Sequence, residues 1–132
     1  MIEDIVVAEG VVVKLGGLAQ YVLDKRIPLE ICLSSNVHTG SIPSLAEHPF
    51  NVLYRQQFRV TLNTDNRLMS RTSMSNEFQV AMDAFELGLD DFEKVTINAM
   101  KSAFLPYAER CRIIYTVIKP GYARIRYPEA RV

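Results

Sequence analysis

The clearest candidate for a chemical group in the sequence is Asp65, in the polar run Asn63-Thr64-Asp65-Asn66 directly after the apolar residues 58–62. The apolar segment is typical of a buried strand, and polar residues at the carboxyl end of such a strand occupy the usual site position of α/β proteins. A carboxylate there could bind a metal, act as a general base or cap the next helix. The spacing alone leaves these roles open.

A second polar cluster, Ser34-Ser35-Asn36-Val37-His38-Thr39-Gly40, follows the apolar residues 29–33. A serine near a histidine suggests a nucleophile, but the G-x-S-x-G motif is missing and no acid is placed to orient the histidine. Ser and Asn commonly shape loops instead, because their side chains bond to nearby backbone. The residues therefore favour a loop over a catalytic triad.

Two histidines, His38 and His48, could join Asp65 as three ligands of a zinc ion. Their spacing resembles neither H-x-H nor H-E-x-x-H, and His48 before a proline favours a loop residue that bonds to the backbone. The two cysteines, Cys32 and Cys111, are too few for a disulfide framework, and each lies among apolar residues. We interpret both as buried thiols.

The elements that must position these residues follow from the apolar patterning. They are short strands around a turn in residues 2–13, a helix over 14–26, a strand at 29–33, a loop over 39–50, a short helix at 50–57 and a strand at 58–62. A strand, a crossover and a second strand predict a parallel pair. The two polar clusters would then lie at the same edge of the sheet.

The remaining chain is predicted to be helical. The signals are Ser73 or Ser75 as N-cap and Gly88 as the end of one helix, Asp90 as the cap of the next, an interruption at Pro106, and a last helix that ends at Pro120-Gly121. Residues 121–132 are expected to form an irregular tail.

The composition describes an ordinary globular chain of 132 residues, 48% hydrophobic, with 15 basic and 15 acidic residues. General disorder is excluded, and a net charge of zero argues against nucleic acid or membrane surfaces as partners. The start lacks the basic region of a signal peptide, and no apolar run is long enough to span a bilayer. A cytoplasmic chain is the expectation.

The sequence predicts only two clear strands but about five helices. A two-stranded parallel sheet cannot bury both faces and leaves two open edges. We therefore expect either a piece of a larger α/β structure or a chain that self-associates.

Three segments resemble the adenosine deaminase family, especially its bacterial members. Residues 28–40, PLEICLSSNVHTG, are similar to the segment around its seventh strand, and residues 60–66, VTLNTDN, to its eighth strand. Residues 97–104, INAMKSAF, resemble its helix after the barrel, and the spacings also match.

The resemblance implies an α/β fold that is the C-terminal fragment of a (β/α)8 TIM-type barrel, with about two parallel strands and C-terminal helices. Residues 1–132 would form one partial deaminase domain, beginning just beyond the sixth strand. The family binds zinc at the C-terminal rim of the barrel. It hydrolyses adenosine or deoxyadenosine to the inosine product and ammonia, using hydroxide generated at the metal.

Carried over residue by residue, the resemblance makes Asp65 the zinc-binding aspartate. Asn66 falls where many members have an aspartate that contacts the purine. The rim of the pocket would be formed by Ser34, Ser35, Asn36 and Gly40. Neither histidine of this chain matches a family ligand.

No catalytic set is complete in this chain. The family's H-x-H pair, its other histidines and its proton-transferring glutamate have no counterpart here. Since a catalytic Zn²⁺ needs about three protein ligands, the chain alone is not expected to hold zinc tightly or to deaminate adenosine.

Two hypotheses follow. Either an N-terminal deaminase fragment completes a barrel that binds a purine nucleoside, or the chain is a non-catalytic remnant that self-associates or binds a partner through its strand edges. A third hypothesis is that the chain is an independent hydrolase that uses His38 and Asp65.

Overall fold

The computed structural model describes residues 5–8 and 11–128 of the chain. Its strands are β1 (Ile5–Ala8), β2 (Val11–Leu15), β3 (Pro28–Ile31) and β4 (Arg59–Leu62). Its helices are α1 (Gly17–Asp24), α2 (Leu33–His38), α3 (Phe50–Arg55), α4 (Met74–Phe85), α5 (Leu89–Ser102), α6 (Tyr107–Ile113) and α7 (Lys119–Arg126). A 3₁₀ turn spans Leu45–Glu47, and a π-helical turn, Ile114–Ile118, joins α6 to α7. None of the helices described is long and apolar enough to cross a membrane.

The strands form two separate pairs. β1 and β2 make an antiparallel hairpin, while β3 and β4 pair in parallel with Pro28 opposite Arg59 and Ile31 opposite Leu62. The predicted parallel pair is therefore confirmed. Within the described part of the chain neither β3 nor β4 has a second neighbouring strand, so each keeps one open edge.

The core is built around β4. Phe50, Phe58, Leu33 and Val60 are buried almost completely, and Phe50 stacks on Phe85 with 5.3 Å between ring centroids. Burial of such side chains contributes roughly 1.5–3 kcal/mol each. This cluster holds α2, α3 and α4 against the sheet.

On the edge of β4 that faces away from β3, a side chain hydrogen-bonds to one backbone carbonyl. The Asn63 backbone N–H donates to the Ile31 carbonyl at 2.9 Å, so alternate residues, including Val60, point their backbone groups away from β3. Asn98 on α5 donates its side-chain amide to the Val60 carbonyl at 3.1 Å, in a buried position. An amide from α5 thus occupies a place where a further strand could pair.

Several element boundaries differ from the predictions. The strand expected at 29–33 ends at Ile31, because Leu33 turns into the core as the first residue of α2, and β3 leaves Glu30 exposed. Ser73 caps α4 as predicted, accepting from the Asn76 N–H at 3.2 Å. Gly88 does not end α4: the chain leaves that helix at Glu86.

The cap of α5 also differs from the prediction. Glu86 ends α4 in a left-handed conformation, with a φ of 55°. Gly88, rather than Asp90, is the N-cap of α5, and its N–H donates to the Asp91 carboxylate at 2.8 Å. A negatively charged group in the first helical turn is also stabilised by the partial positive charge at that end of the helix.

The prediction of an irregular tail is wrong for residues 121–126, which belong to α7. Pro120 is the second residue of this helix and follows the π-helical turn directly. Arg126 bonds to Asp90 and, at 2.8 Å, to Glu93, tying α7 to α5. Residues 129–132 lie outside the described part.

Candidate functional site

The two polar clusters meet beyond the carboxyl ends of β3 and β4, at what we call the strand-end edge (residues 32–36 and 63–66). The Ser35 hydroxyl donates to Asp65 Oδ2 at 2.7 Å, across 30 residues of sequence. Ser35 is buried, whereas Asp65 is exposed. The structure therefore fixes one carboxylate oxygen against the protein and presents the carboxylate to solvent.

Asp65 lies in a bend just beyond the end of β4. Its φ of 53° is left-handed, a conformation that Asp and Asn tolerate better than most residues. The next residue, Asn66, is exposed and accepts the Met69 N–H on its side-chain oxygen at 3.1 Å. That bond orients the Asn66 amide, whose nitrogen remains a donor.

Helix α2 is anchored by a buried carboxylate from α4. Glu77 is fully buried, and its Oε2 accepts the Ser34 N–H at 3.2 Å. Its Oε1 accepts the Thr72 hydroxyl at 2.6 Å. Sequence reasoning missed Glu77, although it lies four residues before Ala81 on the apolar face of the helix.

Cys32 adjoins the same edge as a protonated thiol. Burial raises its pKa, and the negative charges of Asp65, Glu77 and Glu30 raise it further, against a smaller lowering by a backbone hydrogen bond from Asp65. A thiol of raised pKa is a poor nucleophile and a poor metal ligand at neutral pH. Neither Cys32 nor Cys111 is fully buried, so the interpretation of both as buried thiols is wrong.

His48 uses both ring nitrogens within the protein. The Phe50 N–H donates to Nδ1 at 3.0 Å, so the proton lies on Nε2, which donates to the Asn36 amide oxygen at 3.1 Å. The predicted loop role with a backbone bond is confirmed. Asn36 and His48 also line a cavity of about 360 Å³.

The three-ligand zinc site of His38, His48 and Asp65 is not formed. His38 is exposed on the last turn of α2. Across residues 5–8 and 11–128 no three His, Cys, Asp or Glu side chains come together in a group that could hold a metal. Gly40 follows α2 in a left-handed conformation, φ 73°, at the exposed end of the loop.

Burial of His48 predicts a pH-dependent stability. Burial lowers its pKa from the ordinary 6.5, so the unfolded chain binds more protons, and stability is lost as the pH falls below about 6.5. We expect urea unfolding to show a smaller loss between about pH 6.5 and 5 in His48→Asn than in the wild-type chain. His38→Asn, which replaces the exposed histidine, is the matched control. Equal pH slopes for His48→Asn and wild type would contradict the prediction.

Comparison with known proteins decides the family. The family model described as adenosine deaminase matches residues 4–120. The chain belongs to the adenosine deaminase family. It is 58% identical over 126 residues to adenosine deaminase 1 of Streptomyces coelicolor, covering 96% of this chain and 32% of that protein. It is also 58% identical over 123 residues to an adenosine deaminase of Mycobacterium sp. strain KMS, covering 93% and 34%.

Two of the solved structures that match this chain share its fold. Arabidopsis ADAL in complex with IMP superposes with a TM-score of 0.73 at 27% identity, over 80% of this chain and 31% of that one. Adenine deaminase from Arthrobacter aurescens gives 0.72 at 20% identity, over 77% and 31%. The chain is thus an α/β segment of a (β/α)8 barrel and spans about a third of the relatives it matches.

Proposed function

We propose that this chain is the C-terminal part of a zinc-dependent adenosine deaminase, active once an N-terminal segment completes the barrel. One observation carries the proposal: Ser35 and Asp65 bond at the shared carboxyl edge of two parallel strands, the position of active sites in (β/α)8 barrels. Membership of the adenosine deaminase family supplies the reaction class.

The role proposed for Asp65 is that of a metal ligand. Ser35 holds Oδ2, and no described residue bonds to Oδ1, which leaves that oxygen for a cation. One carboxylate does not make a catalytic zinc site, so the other ligands are proposed to come from the N-terminal segment that completes the barrel. Bound zinc would supply the acidity that makes water a nucleophile at neutral pH.

Asn66 is proposed to contact the purine. Its side-chain oxygen is engaged by Met69, so its amide nitrogen can donate to a ring nitrogen of the base. Ser34, Ser35, Asn36 and Gly40 are proposed as the pocket rim, with the Glu77 anchor keeping α2 in place. The substrate is a purine nucleoside.

A complementation assay tests this proposal. The chain is mixed with the part of Streptomyces coelicolor adenosine deaminase 1 that precedes the matched region, and conversion of adenosine to inosine is followed by absorbance. We expect turnover in the mixture and none with either piece alone. Turnover by the purified chain alone, or a stable complex of the two pieces without turnover, would overturn the proposal.

A second candidate function is self-association without catalysis. It is favoured by the open edges of β3 and β4 within the described residues, since unpaired strand edges recruit further strands. Light scattering on the chain alone, before and after addition of the N-terminal piece, separates the two. Oligomers that persist unchanged in the presence of that piece support self-association.

A further inference from the structure

The opposite end of β4 carries a cavity that the proposed reaction does not use. It has a volume of about 620 Å³ and lies between the first residue of β4, Arg59, and the segment from α5 to the start of α7. Four cationic residues line it: Arg59, Lys101, Arg110 and Lys119. No carboxylate of the described residues lines it.

Two of these cations have buried donors without a partner. Arg59 Nε and Arg110 Nε are inaccessible to solvent, and neither is hydrogen-bonded within the part of the chain that the structure describes. A buried polar group left unpaired is destabilising, and more so when it is charged. Arg110 is held in place, because its Nη1 donates to the Lys101 carbonyl.

The charges around Arg59 repel one another. Its pKa is lowered by burial and then by the positive charges of Arg26 and Arg110. Like charges therefore converge near one cavity, where a bound anion would relieve the repulsion.

Two tyrosine rings also line the cavity. Arg110 lies over the Tyr107 ring at 5.9 Å, and Lys119 over the Tyr115 ring at 4.5 Å. The π-helical turn places Ile114 and Tyr115 on the cavity, and such turns are frequent at functional sites. Cation–π contacts hold the two basic side chains in defined positions.

We propose that this cavity binds a phosphate group, with Arg59 and Arg110 as its principal donors. Guanidinium groups match phosphate oxygens through two parallel hydrogen bonds, which favours arginine over lysine as a phosphate donor. The volume exceeds that of one phosphate, and the tyrosines offer faces on which a base can stack. The phosphate can thus be free or part of a nucleotide, at the end of β4 remote from Asp65.

Calorimetric titration of the whole chain, in a phosphate-free buffer of low ionic strength, tests the site. The probes are inorganic phosphate, pyrophosphate and AMP. We expect saturable one-to-one binding that Arg59→Gln or Arg110→Gln weakens by about tenfold to a hundredfold. Arg112→Gln is the matched control, because Arg112 is also on α6 but pairs with Glu109 at 2.8 Å. Tighter binding of AMP than of phosphate would assign a nucleotide, and equal binding a free anion.

Two results would overturn the site. One is absence of binding by the folded wild-type chain. The other is equal affinity in wild type and in the Arg59 and Arg110 variants, which would indicate unspecific attraction. Should either arginine variant fail to fold by circular dichroism, Lys119→Met replaces it, since Lys119 is exposed and its loss removes one charge from the same cavity.

Discussion

Asp65→Asn is expected to lower deamination by the completed barrel by at least about a thousandfold. Asparagine keeps the size of the side chain and tolerates the left-handed backbone of this position, where φ is 53°. The substitution therefore removes the negative charge with little change in the turn. A neutral amide is a far weaker ligand for a divalent cation than a carboxylate. The assay is adenosine turnover in the mixture with the N-terminal piece, together with zinc content per complex.

Two further variants sharpen this result. Ser35→Ala removes the bond to Oδ2 and is expected to cost about 10-fold to 100-fold, the usual effect of a residue that orients a metal ligand. Asp83→Asn, an exposed aspartate on α4, is expected to leave turnover unchanged. Wild-type turnover and wild-type zinc content in Asp65→Asn would show that this carboxylate is not a ligand.

Glu77→Leu is expected to reduce the free energy of unfolding by about 2–4 kcal/mol. The leucine leaves the Ser34 N–H and the Thr72 hydroxyl without their acceptor in a buried place, and each unpaired group carries a penalty. The loss would also free the N-terminal end of α2 from α4. Urea unfolding of the chain, followed by circular dichroism, measures the change.

Glu77→Gln separates hydrogen bonding from charge. Its amide oxygen can accept the Ser34 N–H while its nitrogen donates to the Thr72 hydroxyl, so we expect a loss below about 1 kcal/mol. Asp83→Leu, on the exposed side of the same helix, should change stability by less than about 0.5 kcal/mol. A Glu77→Leu chain as stable as the Asp83→Leu chain would show that the buried carboxylate contributes nothing to the fold.

The expected effects of replacing Glu77 and Asp65 are linked, because a chain of hydrogen bonds connects the two residues. Glu77 holds Ser34, and the next residue, Ser35, holds Asp65. Loss of the first contact is therefore expected to loosen the second. In the completed barrel Glu77→Leu should lower turnover as well as stability, by less than Asp65→Asn does.

Local patterning explains what could be predicted from the sequence. Short apolar runs bounded by polar residues predicted β3, β4 and their parallel pairing, and Ser73 was recognisable as a cap. Polar residues after each strand predicted the strand-end edge, because parallel strands bring their carboxyl ends together. The resemblance of residues 28–40 and 60–66 identified the family, which the comparisons confirm.

The sequence by itself thus determined the family, the strand pair and the placing of Asp65 beyond β4, since these depend on neighbouring residues and on strand period. Only the tertiary structure decided what distant residues do together. Glu77 lies 43 residues from Ser34, and Arg126 lies 33 from Glu93. Arg59 on β4 lines one cavity with Lys101, Arg110 and Lys119, which come from three different helices. Hydrogen bonds and charges between such residues depend on how helices pack in space, and no local pattern records that arrangement.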